Sequence, residues 1–337
     1  MDCNHGLSIP KTGRFSPEAL SLLIMAEIPL VSRQPMLLGT EDIRKYLQFK
    51  TRQKAYSNFE IPKRSGGTRT IMAPNRELKA VLRALAAILQ RFWAPSIEVY
   101  GFSKGRSVVE GAGKHVGKPY LLNMDLKDFF TSIHLGMVMY SLMRTGLTAD
   151  TALFIGRLST ALAKDGRLVL PQGAPTSPIL SNIACERMDR RIARLAECFG
   201  VTYTRFADDL SFSADYNAFK EGDAFRTCLE AIIRDEGFTV NEAKTRLQKR
   251  GSRQEVTGLT VSEKVNVSRK WLKSFRADIH RMETRGCTMA DVRRAYGKLA
   301  WMRLARNGWD PASRKLFNRI WKLESAVKKK EREVSSH

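Results

Sequence analysis

The sequence predicts an α+β protein that ends in a basic helical segment. Short apolar runs of strand character, at 120–126 and 203–213, lie among longer stretches with helical spacing. The last quarter of the chain carries helical spacing throughout, and no internal repeat, low-complexity tract or long Gly/Ser linker interrupts the whole. A length of 337 residues suits one large unit or two to three subdomains, and 43% hydrophobic with 27% charged residues excludes general disorder.

In chain order, Ser16-Pro17-Glu18 reads as an N-cap, a first-turn proline and a dipole-matched acid. The apolar stretch behind it, Ala19 to Leu30, is broken by Ser21, Glu27 and Pro29 and is too short to span a bilayer. It is read as a helix of the folded protein rather than a signal peptide, so no membrane partner is expected. Lys63 and Arg69 flank Gly66-Gly67 at what reads as a hairpin tip. Tyr120 to Leu126 is a strand-like run that ends on Asp125. Leu170 to Pro178 holds three prolines, a glycine and two hydroxyl residues and reads as a shaped loop. From Ile179 to about Phe199 a helix is expected, with Leu180, Ile183, Ala184, Met188 and Ile192 in the core. Tyr203 to Ser213 reads as two short strands with Asp208-Asp209 at the tight turn between them. Three helices follow: one from Ser268 to about Arg285, one capped by Thr288 and stopped at Asn307-Gly308, and one opened by Asp310-Pro311. Most of the aromatics there are expected to be core.

Lys and Arg number 57 against 34 Asp and Glu, an excess of 23, which calls for a polyanionic partner. The charge is unevenly placed. Residues 241–337 hold 25 Lys and Arg against 10 Asp and Glu, so this segment carries 15 of the 23. The five cysteines (Cys3, Cys185, Cys198, Cys228, Cys287) are widely spaced and without a C-x-x-C pair. They suggest neither a zinc site nor a disulfide framework and fit a reducing, cytoplasmic setting.

The acids of the middle region carry the chemistry. Asp125 at a strand end and Asp208-Asp209 at a hairpin turn would repel one another unless divalent cations neutralised them, and Mg²⁺ is the natural hard ion for oxygen ligands. Such a site suits phosphoryl transfer by two metals about 4 Å apart, one activating an attacking hydroxyl and one steadying the leaving pyrophosphate.

Six ordered blocks then carry a resemblance: Ile61-Pro62-Lys63 with Gly66-Gly67-Thr68-Arg69; Asn123 to Phe130; Leu170 to Pro178; Phe206-Ala207-Asp208-Asp209; Asn241 with Lys244-Thr245; and Val256-Thr257-Gly258-Leu259. Over roughly residues 55 to 275 the chain resembles a reverse transcriptase, specifically the retron-type enzymes of bacteria. The resemblance implies an α+β right-hand polymerase fold with fingers, an antiparallel palm sheet and a three-helix thumb. Fingers with the first palm strand around Asp125 would span 1–175, the palm 176–255 and the basic helical thumb 256–337.

It also implies roles. Asp125 and Asp208 would hold two Mg²⁺, with Asp209 a weaker partner and the carbonyl of Leu126 completing a shell. Phe130 would be the steric gate favouring deoxynucleotides, with Phe129 in the core. Lys63 and Arg69 would bind the triphosphate, and Gln172 and Gly173 would lie against the incoming dNTP and the template base. Lys244 would protonate or steady the departing pyrophosphate, a plain surface lysine being the competing reading. Val256-Thr257-Gly258 resembles the retron signature that helps hold the cognate RNA. Arg293, Arg294, Arg303 and Arg306 are the thumb cations expected on the RNA.

Only about eighty residues follow the last block, room for a thumb but not for a ribonuclease H or endonuclease domain as well. His115 matches the histidine of the retron Asn-Ala-x-x-His insertion, but Gly111 stands in place of its asparagine. Phe206 replaces the tyrosine that usually opens the Ala-Asp-Asp block. The resemblance implies reverse transcription of part of a structured noncoding RNA. Synthesis would be primed from an RNA 2′-OH, giving a branched RNA–DNA hybrid (msDNA). It further implies a role in antiphage defence beside a separate effector protein. Two rivals are an abortive-infection type polymerase making untemplated DNA and an RNA-binding scaffold without catalysis. The presence of all three carboxylates weighs against the scaffold.

Overall fold

The computed structural model describes residues 16–32, 36–62 and 66–335. Helix α1 (Pro17–Val31) is capped by the Ser16 hydroxyl, which accepts from the Ala19 N–H at 3.2 Å. Short helices α2 (Thr40–Arg44) and α3 (Phe49–Lys54) lead into the antiparallel hairpin of β1 (Tyr56–Pro62) and β2 (Thr68–Pro74). Helix α4 (Arg76–Phe92) is capped by Asn75, buries Leu78, Leu82 and Leu85, and packs against α1. Next come α5 (Val108–Gly113), β3 (Tyr120–Asp125), α6 (Phe129–Ser132), α7 (Leu135–Arg144) and α8 (Ala149–Ser159). The small hairpin of β4 (Ala161–Leu162) and β5 (Leu168–Val169) precedes the long helix α9 (Ser177–Cys198).

Strands β6 (Thr202–Phe206) and β7 (Asp209–Ala214) form the acid-bearing hairpin, followed by α10 (Ala224–Asp235) and β8 (Arg246–Lys249). The principal sheet runs in the order β6-β7-β3-β8. A second sheet joins β9 (Glu255–Val256), β10 (Leu259–Thr260) and β11 (Asn266–Val267), and the chain closes with α11 (Arg269–Arg285), α12 (Met289–Ala305) and α13 (Pro311–Ser335).

By its contacts the chain forms two compact units: residues up to Arg106 with Met124–Leu210 and Ala218–Thr245, and Ser107–Asn123 with Ser211–Asn217 and everything from Arg246. In the first, α9 is central and buries Ile179, Leu180, Ile183, Met188 and Ile192. Pro178 lies in its first turn, so the helix begins at Ser177, two residues before the expected start. In the second, Phe275, Ile279, Val292, Leu299, Met302, Leu316 and Ile320 form one cluster with Leu121, Val256 and Leu259. The three expected C-terminal helices are all present, capped by Ser268 and Thr288 where serine and threonine permit it. Most of the aromatics there lie in or against the cluster (Trp271, Phe275, Tyr296, Trp301 and Phe317), whereas Trp309 and Trp321 are 42% and 56% exposed.

The four described cysteines are free, and Cys3 lies outside the described residues. Among the described residues no helix is long and apolar enough to cross a membrane, and α1 instead packs on α4.

Candidate active site

Strand β3 delivers Asp125 to its end, and the next residue, Leu126, donates its N–H to the carbonyl of Asp208 at 2.9 Å. That bond sets the end of β3 beside the turn between β6 and β7. The turn is tight, with only Ala207 and Asp208 between the strands. Ala207 holds φ at +57°, a left-handed geometry that hairpins of this kind usually give to glycine. Asp209 opens β7.

Asp125 is buried and fully engaged. Its Oδ1 accepts from Lys244 Nζ at 2.7 Å and its Oδ2 from Asn241 Nδ2 at 3.1 Å, while its carbonyl accepts the Asn241 N–H at 2.8 Å. Lys244 and Asn241 come from one short turn after α10, and Lys244 is half exposed. The electrostatics of the other two acids show their crowding. The Asp208 carboxyl titrates above its ordinary range, first because it is withdrawn from water and then because Asp125 is near. Lys244 and Arg69 pull in the opposite direction. Asp209, though exposed as a residue, has its carboxyl pushed up to about 6 by partial loss of water, then by Asp208 and Asp125.

The donor chemistry fits a hard divalent cation: three carboxylates, all oxygen, with Asp208 and Asp209 disfavoured as anions by loss of water and by neighbouring acids. The side chains are not gathered into a closed ligand set. Among the described residues no three His, Cys, Asp or Glu side chains stand together as a metal-holding group.

Arg69 is on β2 and exposed; Lys63 lies outside the described residues. The Gln172 carbonyl accepts the Met72 N–H of β2 at 2.9 Å, strapping the proline-rich loop to the strand that carries Arg69. Gly173 has φ of +131°, and a Cβ there would fall 2.9 Å from the Met72 carbonyl oxygen, so only glycine fits. Phe129 is buried and stacks on Phe238 at 5.9 Å, while Phe130 is half buried, 6.1 Å from Phe102. The pair is thus divided into a core ring and a partly open ring. Leu126 is buried and bridges to Val240.

The expected RNA contacts fall in the second unit and differ in availability. Val256 is buried in the cluster, so its side chain cannot touch a ligand. Thr257 and Gly258 form the turn from β9 to β10, both left-handed, with the Thr257 hydroxyl buried and without a hydrogen-bond partner. His115 is buried against the Ser213 hydroxyl at 2.7 Å, and burial lowers its pKa to about 3, so it is a neutral interior group. Arg293 and Arg294 are exposed, Arg294 pairing with Asp291. The Arg303 guanidinium lies 3.8 Å over the Trp309 ring. Arg306 binds Asp310 and Asn266, each at 2.9 Å, and is turned inward.

Two residues of the site escaped the sequence reading of roles. Asn241 grips Asp125 at three points counting Lys244 of the same turn, and its only signal was membership of a motif block. Arg205 was read as an ordinary strand residue but is wholly buried. The available signal was a cation in a short strand between Tyr203 and Phe206.

Comparison with known proteins gives the family. Residues 61–272 match the family model described as reverse transcriptase (RNA-dependent DNA polymerase). The chain belongs to that family, and its α+β fold is the family's right-hand polymerase fold. It is 40% identical over 242 residues to the Retron Mx65 reverse transcriptase of Myxococcus xanthus, covering 68% of this chain and 56% of that one. It is 36% identical to the Retron Mx162 enzyme of the same organism, covering 67% and 52%. The Retron Ec86 reverse transcriptase of Escherichia coli is 38% identical, covering 63% and 64%. These relatives make the chain a retron-type member, matched over about half to two thirds of their length.

The raised carboxyl of Asp209 has a measurable consequence. A carboxyl whose folded pKa lies above its unfolded value near 4 binds protons more tightly when folded. Its stabilising contribution is full below that unfolded value and is lost as pH rises through about 6. In the metal-free protein, Asp209→Asn should raise the melting temperature at pH 7 and leave it nearly unchanged at pH 4. Thermal denaturation at both values checks this, and equal effects at the two would contradict it.

Proposed function

We propose that the chain is an RNA-directed DNA polymerase that copies part of a cognate structured noncoding RNA, with dNTPs as substrates and two Mg²⁺ as cofactors. The observation that carries the reading is the pairing of Asp125 with the Asp208 turn at adjoining strand ends, fixed by the Leu126 to Asp208 hydrogen bond. Asp125 and Asp208 would hold the ions, with Asp209 and the Leu126 carbonyl in supporting positions. Two such ions supply an activated attacking hydroxyl and charge neutralisation at the leaving pyrophosphate.

The chain's own residues do the rest. Lys244 Nζ, 2.7 Å from Asp125 Oδ1, is a proton donor at the edge of the carboxylates and suits the departing pyrophosphate. Asn241 fixes the Asp125 carboxylate from the other side. Arg69, with Lys63, would bind triphosphate oxygens, where a guanidinium can hold two at once. Gln172 and Gly173 present backbone beside β2 for the nucleotide, and the Phe130 ring would occupy the space of a ribose 2′-OH.

We assign fingers to 1–175, palm to 176–255 and thumb to 256–337, the thumb bearing most of the positive excess. It would hold RNA stems through phosphates and 2′-hydroxyls. Arg293 and Arg294, exposed on α12, are the best placed of the four named cations. Arg303 would act together with the Trp309 ring beneath it, and Arg306 chiefly through the fold. The Thr257-Gly258 turn, anchored by the buried Val256, would meet the RNA through the exposed backbone of Gly258. Priming from an RNA 2′-OH to give branched msDNA, and an antiphage role with a separate effector, complete the reading. Its support is the likeness to named retron enzymes.

Expressing the protein with its flanking genomic DNA and sequencing small DNA should yield a branched RNA–DNA product that follows the RNA template. Asp208→Ala should lower its synthesis roughly a thousandfold or more. A product that survives this change, or one whose sequence ignores the template, would overturn the assignment. Arg293→Glu with Arg294→Glu should weaken RNA binding and flatten the slope of log affinity against log salt by roughly one to two. An unaltered slope would show that both cations face solvent in the complex.

A further inference from the structure

We infer that Arg205 is a positioning residue: gripped by Asp189 and Asn182, it holds the carbonyl of Ala207 and so aims Asp208. This rests on the polymerase reading of the Asp208 turn.

Arg205 lies on β6 with no exposed surface, and Asp189 on α9 is almost as deeply buried. Taking a guanidinium and a carboxylate out of water is unfavourable unless nearly every hydrogen bond is made. Here they are made. Arg205 Nε donates to Asp189 Oδ1 at 2.7 Å and Nη2 to Oδ2 at 2.6 Å, a forked pair. Nη2 also donates to Asn182 Oδ1 at 3.1 Å, and Tyr203 Oη donates to Asp189 Oδ1 at 2.8 Å. The remaining arm, Nη1, reaches two residues ahead, past the end of its own strand, to the Ala207 carbonyl at 3.0 Å.

A purely structural ion pair would be complete with Asp189. The bond to Ala207 instead ties the pair to the one left-handed residue of the turn, with φ of +57°. An alanine resists that geometry, so the surroundings must impose it. Gly101 closes the opposite side: a Cβ there would fall 2.4 Å from the Ala207 nitrogen, so bare backbone lies against the turn. The same network reaches Gly101, whose carbonyl accepts Asn182 Nδ2 at 3.0 Å. Ala207 is thus held between a guanidinium and a glycine backbone. Asp208 follows directly, with its own carbonyl fixed by Leu126. Any swing of the Ala207 peptide would displace the Asp208 carboxylate, and a displacement of about 1 Å at a reacting centre can lower a rate roughly a hundredfold.

The test replaces the pair by apolar residues, Arg205→Met with Asp189→Leu, in the full chain bound to its RNA. Buried ion pairs often tolerate such replacement without loss of folding. The expected result is a folded protein with wild-type RNA affinity, kcat lower by roughly ten- to a hundredfold, and dNTP KM within about twofold. Calorimetric Mn²⁺ binding without nucleotide should weaken several-fold. Adding Ala207→Gly to this background should restore part of both, because glycine adopts the turn unaided. Tyr203→Phe, which removes a bond to Asp189 but none to Ala207, should lower the melting temperature while leaving kcat and Mn²⁺ affinity unchanged. Should the double variant not fold, Arg205→Lys carries the test, since one ammonium cannot bridge Asp189 and Ala207 as a fork does. Wild-type kcat and Mn²⁺ affinity in the pair variant, or an equal fall in Tyr203→Phe, would overturn the inference. A wild-type protein that makes no templated DNA would refute the polymerase reading instead and leave the Mn²⁺ comparison interpretable.

Discussion

Like charges held close resist folding, and this chain brings three carboxylates to one end of its main sheet. Withdrawal from water and mutual repulsion both push Asp208 and Asp209 toward their protonated forms. The surrounding structure is arranged to tolerate them. Lys244 and Asn241 arrive from one turn to hold Asp125, and Leu126 fixes the backbone of Asp208. Ala207 is kept left-handed between Arg205 and Gly101. A protein with no use for concentrated negative charge has no reason to maintain these supports. For a phosphoryl-transferring enzyme they preserve a binding place for cations whose arrival relieves the repulsion.

The remaining charge has the opposite sign and a different distribution. Of the excess of 23 positive charges, 15 belong to residues 241–337, on helices whose inner faces form one apolar cluster. Not every cation there is available to a ligand. Arg306 is engaged with Asp310 and Asn266, Arg319 pairs with Glu283, and Arg303 lies on Trp309. Arg293 is exposed, and Arg294 pairs with Asp291 one helical turn away. Net charge therefore identifies the kind of partner better than it identifies the contact residues.

Local features were legible from residue order alone. Asp125 at a strand end, the acid pair at a hairpin turn, the Ser16 and Thr288 caps and the apolar stripe of α9 all follow from spacing and capping chemistry. Gly173 was legible as a loop glycine, but its necessity comes from Met72, a hundred residues away in sequence. Arg205 and Asp189 lie on different elements, so no periodicity links them, and only the packing of α9 against β6 reveals the pair. Most of the C-terminal aromatics were expected inside, and Trp309 and Trp321 are exceptions. Trp309 lies in the link between α12 and α13, and the exposure of Trp321 depends on which face of α13 packs inward, which helical spacing alone leaves open. His115 went the other way, from a family signature to a buried neutral ring.

The central claim is that Asp125 and Asp208 together hold two divalent cations. A crystal of the RNA-bound protein grown with Mn²⁺ and a non-hydrolysable dNTP, measured for anomalous scattering, tests it most directly. Two peaks about 4 Å apart, both within coordination distance of Asp125 and Asp208, are the predicted result. A single peak away from these carboxylates, or none at saturating Mn²⁺, would contradict it.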